Sequence, residues 1–375
     1  MQASKKIGLN LLYMHQKFTG GSTTYAVNLI KELSKIDSAN KYIIYINKDC
    51  IKLPFKVGPN FKVRVIPFRN KNVFIRYFWE QAIFPFLLIR DRLNLLHSPG
   101  YVGPVFCPVP HIVSILDLNY KRHKESMSLS KRILLGLMVE IMSKLSKHII
   151  TISNFSKKEI IKVLNIKEHK ITVTLLSGSN DDHSSNESVN LNQIYKINSK
   201  YIIAFGGYSA HKNMPGLIAA FKPIADKVSD LQLVLVGNQH NNSELQEKIN
   251  NLNLNGRVIF TGFVPDAHVL LLLQKSLLFV FPSFYEGFGI PLLDAQSVKV
   301  PIASSNAGSL PEVGGSGALY FDPNNTTQMT DTITNILENP QLSENLIKQG
   351  CLNREKFHWA VTAEQTLSCY NTFTS

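Results

Sequence analysis

Cysteine is sparse and scattered. The four residues, Cys50, Cys107, Cys351 and Cys369, form no Cys-x-x-Cys pair. That argues against a zinc site or a disulfide frame and suits a reducing compartment. Long apolar runs are also missing. The opening Ile7-Gly-Leu-Asn-Leu-Leu12 stretch is too short for the core of a secretory signal. Residues 269–281 are the greasiest segment, yet Gln274-Lys275-Ser276 splits it. It reads as a helix end followed by a strand rather than a membrane span. Acids are scarce in the first half. Residues 1–178 hold 28 Lys and Arg against 10 Asp and Glu, and the remainder holds 12 against 17. A basic half joined to a slightly acidic one suggests an anionic partner: a phospholipid surface, a lipid diphosphate or nucleic acid. A Lys-rich solvated surface would give the same balance. No module signature for RNA or DNA binding is found, so nucleic acid ranks last.

The 375 residues, 44% hydrophobic and 18% charged, suit a globular chain of two domains. The rest is organised around the stretch from Leu277 to Gln296. Leu277-Leu-Phe-Val-Phe281 is short, apolar and aromatic, as a buried strand is. Pro291 stands where the first turn of a helix tolerates proline. The loop between them, Pro282-Ser-Phe-Tyr-Glu-Gly-Phe-Gly-Ile290, has two glycines that let backbone approach a ligand. N–H groups at the helix start favour an anion. Glu286 and Asp294 place two acids eight residues apart, in the loop and in the first helical turn. A carboxylate there can accept two hydrogen bonds from adjacent sugar hydroxyls. Taken singly, each also reads as a solvated acid, Asp294 favoured by the helix dipole.

Strand and helix alternate along the remainder. A β-type run over 7–13 precedes Thr19-Gly20-Gly21-Ser22 and a helical pattern from Tyr25 to Leu33. Strand, Gly-Gly loop and helix form a phosphate-cradle geometry, though many such turns bind nothing. Residues 42–46 and 61–67 read as strands. Residues 74–89 read as a buried, aromatic helix, basic at both ends, with a membrane interface as the second reading. Strands at 93–96, 111–116 and 148–152 end near His97, Asp117 and Ser153. In doubly wound sheets such ends form the ligand rim, so the three are expected to converge there. Asp and Ser also act as turn-formers and caps. Residues 178–200 are polar and form the best linker. Strands resume at 201–205, 231–236, 257–262, 277–281 and 300–304, which points to a parallel sheet covered on both faces. Residues 356–370 read as an amphipathic helix.

The run from Pro282 to Ala295 resembles the Pro-Ser-x-x-Glu-Gly-Phe-Gly-x-Pro-x-x-Glu-Ala signature of retaining glycosyltransferases with the GT-B fold, family 4 in particular, with Asp294 in place of the last Glu. The resemblance extends over nearly the whole chain. Gly20-Gly21-x-x-x-Tyr25 is similar to the family's first glycine-rich loop, which lies against the donor phosphate. Trp79-Glu80-Gln81-x-x-x-Pro85 is a familiar stretch of the first domain. Gly206-Gly207 to Lys212-Asn213 resembles the pyrophosphate loop, with Gly207 and Tyr208 where many members carry an Arg. Ser309-Leu310-Pro311-Glu312-Val313 matches a supporting run. At 116 the family usually has a His that faces the cleft, and this chain has Leu116 before Asp117.

The resemblance implies two doubly wound α/β domains facing a cleft. The acceptor-side domain would be 1–178, with helix 357–375 packing back on it, and the donor domain 199–356. It implies transfer of a hexosyl group, mannose by preference, from a nucleoside-diphosphate sugar to a glycan or lipid-linked acceptor in polysaccharide or lipopolysaccharide synthesis. Retention is implied, with no cofactor and no metal, since the metal-binding Asp-x-Asp motif of the other major glycosyltransferase fold is missing. By resemblance Glu286 contacts the transferred sugar and Asp294 the ribose. Lys212, Gly20, Gly21, Gly207 and the Gly287-Phe288-Gly289-Ile290 helix start meet the diphosphate. Gly237 and Val264 flank the base. The setting would be the cytoplasm, with contact to an anionic membrane surface. Two rivals share the fold: a non-catalytic nucleotide-sugar-binding partner, motivated by Leu116 and Asp294, and a nucleotide-sugar epimerase.

Overall fold

The central strands are apolar on both faces, a pattern that requires helices on both sides of a parallel sheet. A computed structural model describes residues 4–15, 20–50, 53–70, 73–122, 128–179, 190–206, 209–237 and 243–374. It divides into two units. The first holds Met1–Lys121, Leu129–Leu176 and, returning at the end, His358–Ser375; the second holds Arg122–Ser128 and Ser177–Phe357.

The strands of the first unit are β1 Lys6–Asn10, β2 Lys41–Asn47, β3 Phe61–Ile66, β4 Leu95–Ser98, β5 His111–Ser114, β6 His148–Thr151 and β7 Ile171–Val173. Their order is β3-β2-β1-β4-β5-β6-β7, with every pair parallel. In the second unit β8 Lys200–Phe205, β9 Leu231–Val236, β10 Val258–Phe260, β11 Leu278–Phe281, β12 Ile302–Ser305 and β13 Leu319–Phe321 take the order β10-β9-β8-β11-β12-β13, again parallel. Both are doubly wound sheets. Their order reverses between β1 and β4 and between β8 and β11, and crevices for ligands form outside strand ends at such points.

The core of the second unit includes Leu217 and Phe221 of helix Met214–Lys227, packed with Leu233 and Leu235 of β9, all fully buried. In the first unit the last helix, Trp359–Phe373, lies along Gly21–Ile36. The Thr362 hydroxyl donates to Leu175 O at 2.5 Å, and Lys5 Nζ donates to Thr374 O at 2.6 Å.

The single helix expected over 74–89 is instead broken into Val73–Phe78, a π turn over Trp79–Ile83, and Phe84–Arg90. Pro85 has no N–H for the carbonyl four residues back. The Phe84 N–H reaches Trp79 O, five residues back, and widens the turn. Residues 269–281 divide between helix Asp266–Gln274 and β11. Among the described residues no helix is long and apolar enough to cross a membrane.

Candidate active site

The reversal point of the second sheet gathers the sequence's two principal candidates. After β8 the chain makes a short 3-10 turn, Ala210–Lys212. It then passes through Asn213 with φ 54° into helix Met214–Lys227. After β11 comes the loop ending in helix Ile290–Ser297. The loops are joined by backbone: Phe284 N–H donates to His211 O at 2.7 Å. They are joined again by charge, for Lys212 Nζ lies 2.7 Å from Glu286 Oε1. The ammonium also sits 5.3 Å from the centre of the Phe281 ring, a cation–π distance. Both side chains keep partial solvent access, 25% for Lys212 and 14% for Glu286.

The loop carrying Glu286 is held from beneath. Ser309 Oγ donates to Glu286 O at 3.0 Å and to Phe288 O at 2.7 Å. Ser309 N–H donates to Glu286 O at 3.2 Å. A Cβ at Gly308 would stand 2.6 Å from Glu286 O. Gly289 takes φ 107° as the cap of helix Ile290–Ser297, and a Cβ there would meet Leu310 at 2.7 Å. Gly287 and Phe288 complete the turn. Phe288 is buried and meets Phe357 edge-on at 6.0 Å. The helix start at Ile290 has Pro291 in its first turn.

Asp294 is not in the first helical turn, as expected, but one turn further in. The helix begins at Ile290, four residues before it, because Gly289 with its positive φ is still the cap. The carboxylate is 7% exposed, and its Oδ1 accepts the Ser179 N–H at 2.7 Å. At the β9 end Gly237, φ 122°, bridges Gly262, its N–H donating to Gly262 O at 3.1 Å. This sets the turn with buried Val264 and exposed Phe263. Gly207 lies outside the described residues.

In the first unit Gly20, φ 104°, caps helix Gly21–Ile36 without a side-chain cap bond. A Cβ at Gly20 or Gly21 would meet no atom within 4 Å, so the space beside both is open. Asp117 is half-buried, and its Oδ1 accepts from Tyr101 OH at 3.2 Å and from Asn119 N–H at 3.1 Å. Tyr101 has φ 70°, a strained setting for a large side chain. No residue pattern in the sequence announces it. Leu116 is buried.

His97 does not reach the rim. The strand runs two residues beyond the expected end, so His97 lies inside β4 and is fully buried. Its Nδ1 is 2.6 Å from Tyr370 OH and its Nε2 2.8 Å from Ser114 Oγ. Burial, reinforced by nearby His111, pushes its pKa down to about 3. Ser153 is the cap of helix Asn154–Leu164, its Oγ accepting the Ser156 N–H at 3.0 Å. Both occupy structural positions.

Two family models match the chain: glycosyl transferases group 1 over residues 190–351, and Glycosyltransferase Family 4 over 19–174. The chain is similar to O-antigen chain mannosyltransferase B of Escherichia coli, 32% identical over 60% of each chain. It is also similar to O-antigen chain mannosyltransferase RfbU of Salmonella typhimurium, 27% identical over 57% of each. The match spans about three fifths of the length of these relatives. Among solved structures, Anabaena HepE in complex with UDP and glucose superposes with TM-score 0.71 at 16% identity, over 98% of this chain and 99% of that one. The alternation of two doubly wound units is the GT-B fold, and the chain belongs to the group 1, family 4 glycosyltransferases.

Proposed function

We propose that the protein moves a hexosyl group, mannose first among them, from a nucleoside-diphosphate sugar to a glycan or lipid-linked acceptor. The product would serve cell-surface polysaccharide or lipopolysaccharide, made at the cytoplasmic face of a membrane. The observation that carries this reading is the Lys212–Glu286 pair at the β8–β11 reversal, 2.7 Å apart. A cation and an anion are held ready where a diphosphate sugar would lie. The relatives named for O-antigen mannosyl transfer support the sugar class, and the UDP and glucose bound by HepE support the donor class.

In this mechanism the bond from the sugar's anomeric carbon to the diphosphate oxygen breaks, and its electron pair leaves with the diphosphate. Lys212 and the helix start at Ile290 stabilise that charge as it grows, usually the largest catalytic contribution. Glu286 accepts from sugar hydroxyls and stabilises positive charge at the anomeric carbon. The acceptor oxygen bonds to that carbon from the side the diphosphate leaves, with retention, and its proton passes to a diphosphate oxygen. No metal is required, because ammonium and backbone N–H groups carry the charge. Asp294 takes the ribose hydroxyls, and Gly237 and Val264 border the base. Incubation with a panel of nucleoside-diphosphate hexoses and a lipid-linked glycan tests the reading. Transfer is expected with at least one mannosyl donor. Tight donor binding without transfer or hydrolysis would mark a binding partner instead.

A further inference from the structure

Helix Leu129–Leu145 is apolar on two opposite sides. Met138, Val139 and Met142 form its buried side. In water the other side of such a helix is normally polar. Here Leu129, Ile133 and Leu137 recur there at a spacing of four, 61%, 60% and 56% exposed. The broken helix Val73–Arg90 repeats the feature, with Phe74, Phe78 and Phe86 all more than half exposed.

The two stretches are neighbours within the first unit. Tyr77 of one and Met138 of the other share a buried cluster with Val102, and Val73, Leu134 and Leu135 pack against it. Gln81 donates to Gly103 O at 2.9 Å and accepts Val105 N–H at 2.8 Å. That fixes the loop presenting Phe106, 84% exposed.

The charge around these side chains is net positive. The two acids between Val73 and Arg92, Glu80 and Asp91, are buried, which leaves Arg76, Arg90 and Arg92. On the other helix and the turn after it stand Lys131, Arg132, Lys144 and Lys147. The acid there, Glu140, pairs with Lys144 at 2.9 Å. Apolar stripes among cations fit the interface of an anionic bilayer, where rings and aliphatic chains enter at headgroup depth and Lys and Arg stay at the phosphates. A second copy of the chain would set these cations against their own kind.

We propose that the outer faces of Leu129–Leu145 and Val73–Arg90, with Phe106 between them, rest the first unit on an anionic lipid surface. This deepens the membrane-side part of the proposed function and rests on it. Sedimentation with vesicles of phosphatidylglycerol and phosphatidylcholine, against phosphatidylcholine alone, tests it. Wild-type protein is expected to partition to the anionic vesicles. Ile133→Gln/Leu137→Gln should lower partitioning by about tenfold or more, as should Phe74→Gln/Phe78→Gln. Leu352→Gln in the second unit, 51% exposed, should leave it unchanged. Calorimetry with a nucleoside diphosphate separates the two readings. Vesicle binding without diphosphate binding sinks the proposed function and keeps this surface, and the converse sinks the surface alone. Partitioning equal in wild type and both double variants overturns the proposal. So does a concentration-dependent dimer that either double variant abolishes, for the face would then cover a second copy.

Discussion

Lys212 Nζ meets Glu286 Oε1 at 2.7 Å across the ends of the two strands where the second sheet reverses its order. The pair keeps a partly exposed cation at the reversal point and balances the Glu286 carboxylate beside it. Lys212→Ala should weaken nucleoside-diphosphate binding at least tenfold, since a charge-assisted contact is worth roughly 1.5–3 kcal/mol. Arg at this position should restore only part, because its planar fork does not replace a compact ammonium over Phe281. Titration calorimetry decides, and unchanged affinity in the alanine variant would remove Lys212 from the site.

The backbone beneath Glu286 depends on Gly308. Its φ is 64°, and a Cβ would stand 2.6 Å from Glu286 O and 2.9 Å from Glu286 N. Gly256, φ 74°, has nothing within 4 Å of the same position. Both alanine variants carry backbone strain of about 1 kcal/mol or more, but only Gly308→Ala also pushes the loop. It should melt lower than Gly256→Ala and lose turnover. Equal melting with full activity in the Gly308 variant would show that the loop is held elsewhere.

The sequence made the alternation of strands and the loop at Glu286 legible because both write themselves in local pattern: apolar runs, paired glycines, a proline at a helix start. Strand ends were less legible. The apolar pattern predicts that β4 stops at Leu96, but the strand continues through Ser98. That difference moves His97 from a rim to the interior, against Tyr370, 273 residues away along the chain. No local pattern encodes a partner so distant. The pattern leaves β7 and β13 unmarked, because three residues alone have no period; β10 is as short but lies inside the longer run expected over 257–262. The left-handed Tyr101 and its bond to Asp117 were missed because nothing in composition marks strain.

Neutral buried histidines make stability fall on the acid side. Burial pushes His97 down to about 3 and His111 to about 4, while an unfolded histidine titrates near 6.5. The unfolded chain therefore binds protons that the folded one refuses. Their contribution is complete above about pH 6.5 and is lost as pH falls toward those lowered values, at about 1.4 kcal/mol per pH unit for each. The urea midpoint should drop between pH 7 and 5. His97→Gln should start lower and fall less steeply. An unaltered slope would mean that His97 is protonated in the folded state.

Transfer should survive EDTA. The charge of the leaving diphosphate is assigned to Lys212 and to N–H groups at helix starts, neither of which needs a divalent ion. Loss of activity restored by added Mg²⁺ or Mn²⁺ would transfer that role to a metal.

Glu286 separates an enzyme from a binder. Its backbone is fixed by three bonds from Ser309 to the carbonyls of Glu286 and Phe288, and its carboxylate is held by Lys212, so its aim is set before a donor arrives. A contact that strengthens while the glycosidic bond breaks raises turnover rather than ground-state affinity. Glu286→Gln keeps the size and one acceptor oxygen but removes the charge. Turnover should fall by about a hundredfold or more, the scale of one lost charge-stabilising group, while donor affinity changes far less. Asp294→Asn should behave the other way, with weaker donor binding and a smaller loss of maximal rate. One oxygen of its carboxylate is already shared with the Ser179 N–H. If Glu286→Gln transfers sugar at the wild-type rate, the acid serves only to neutralise Lys212. The burden of the anomeric carbon then passes to the diphosphate itself.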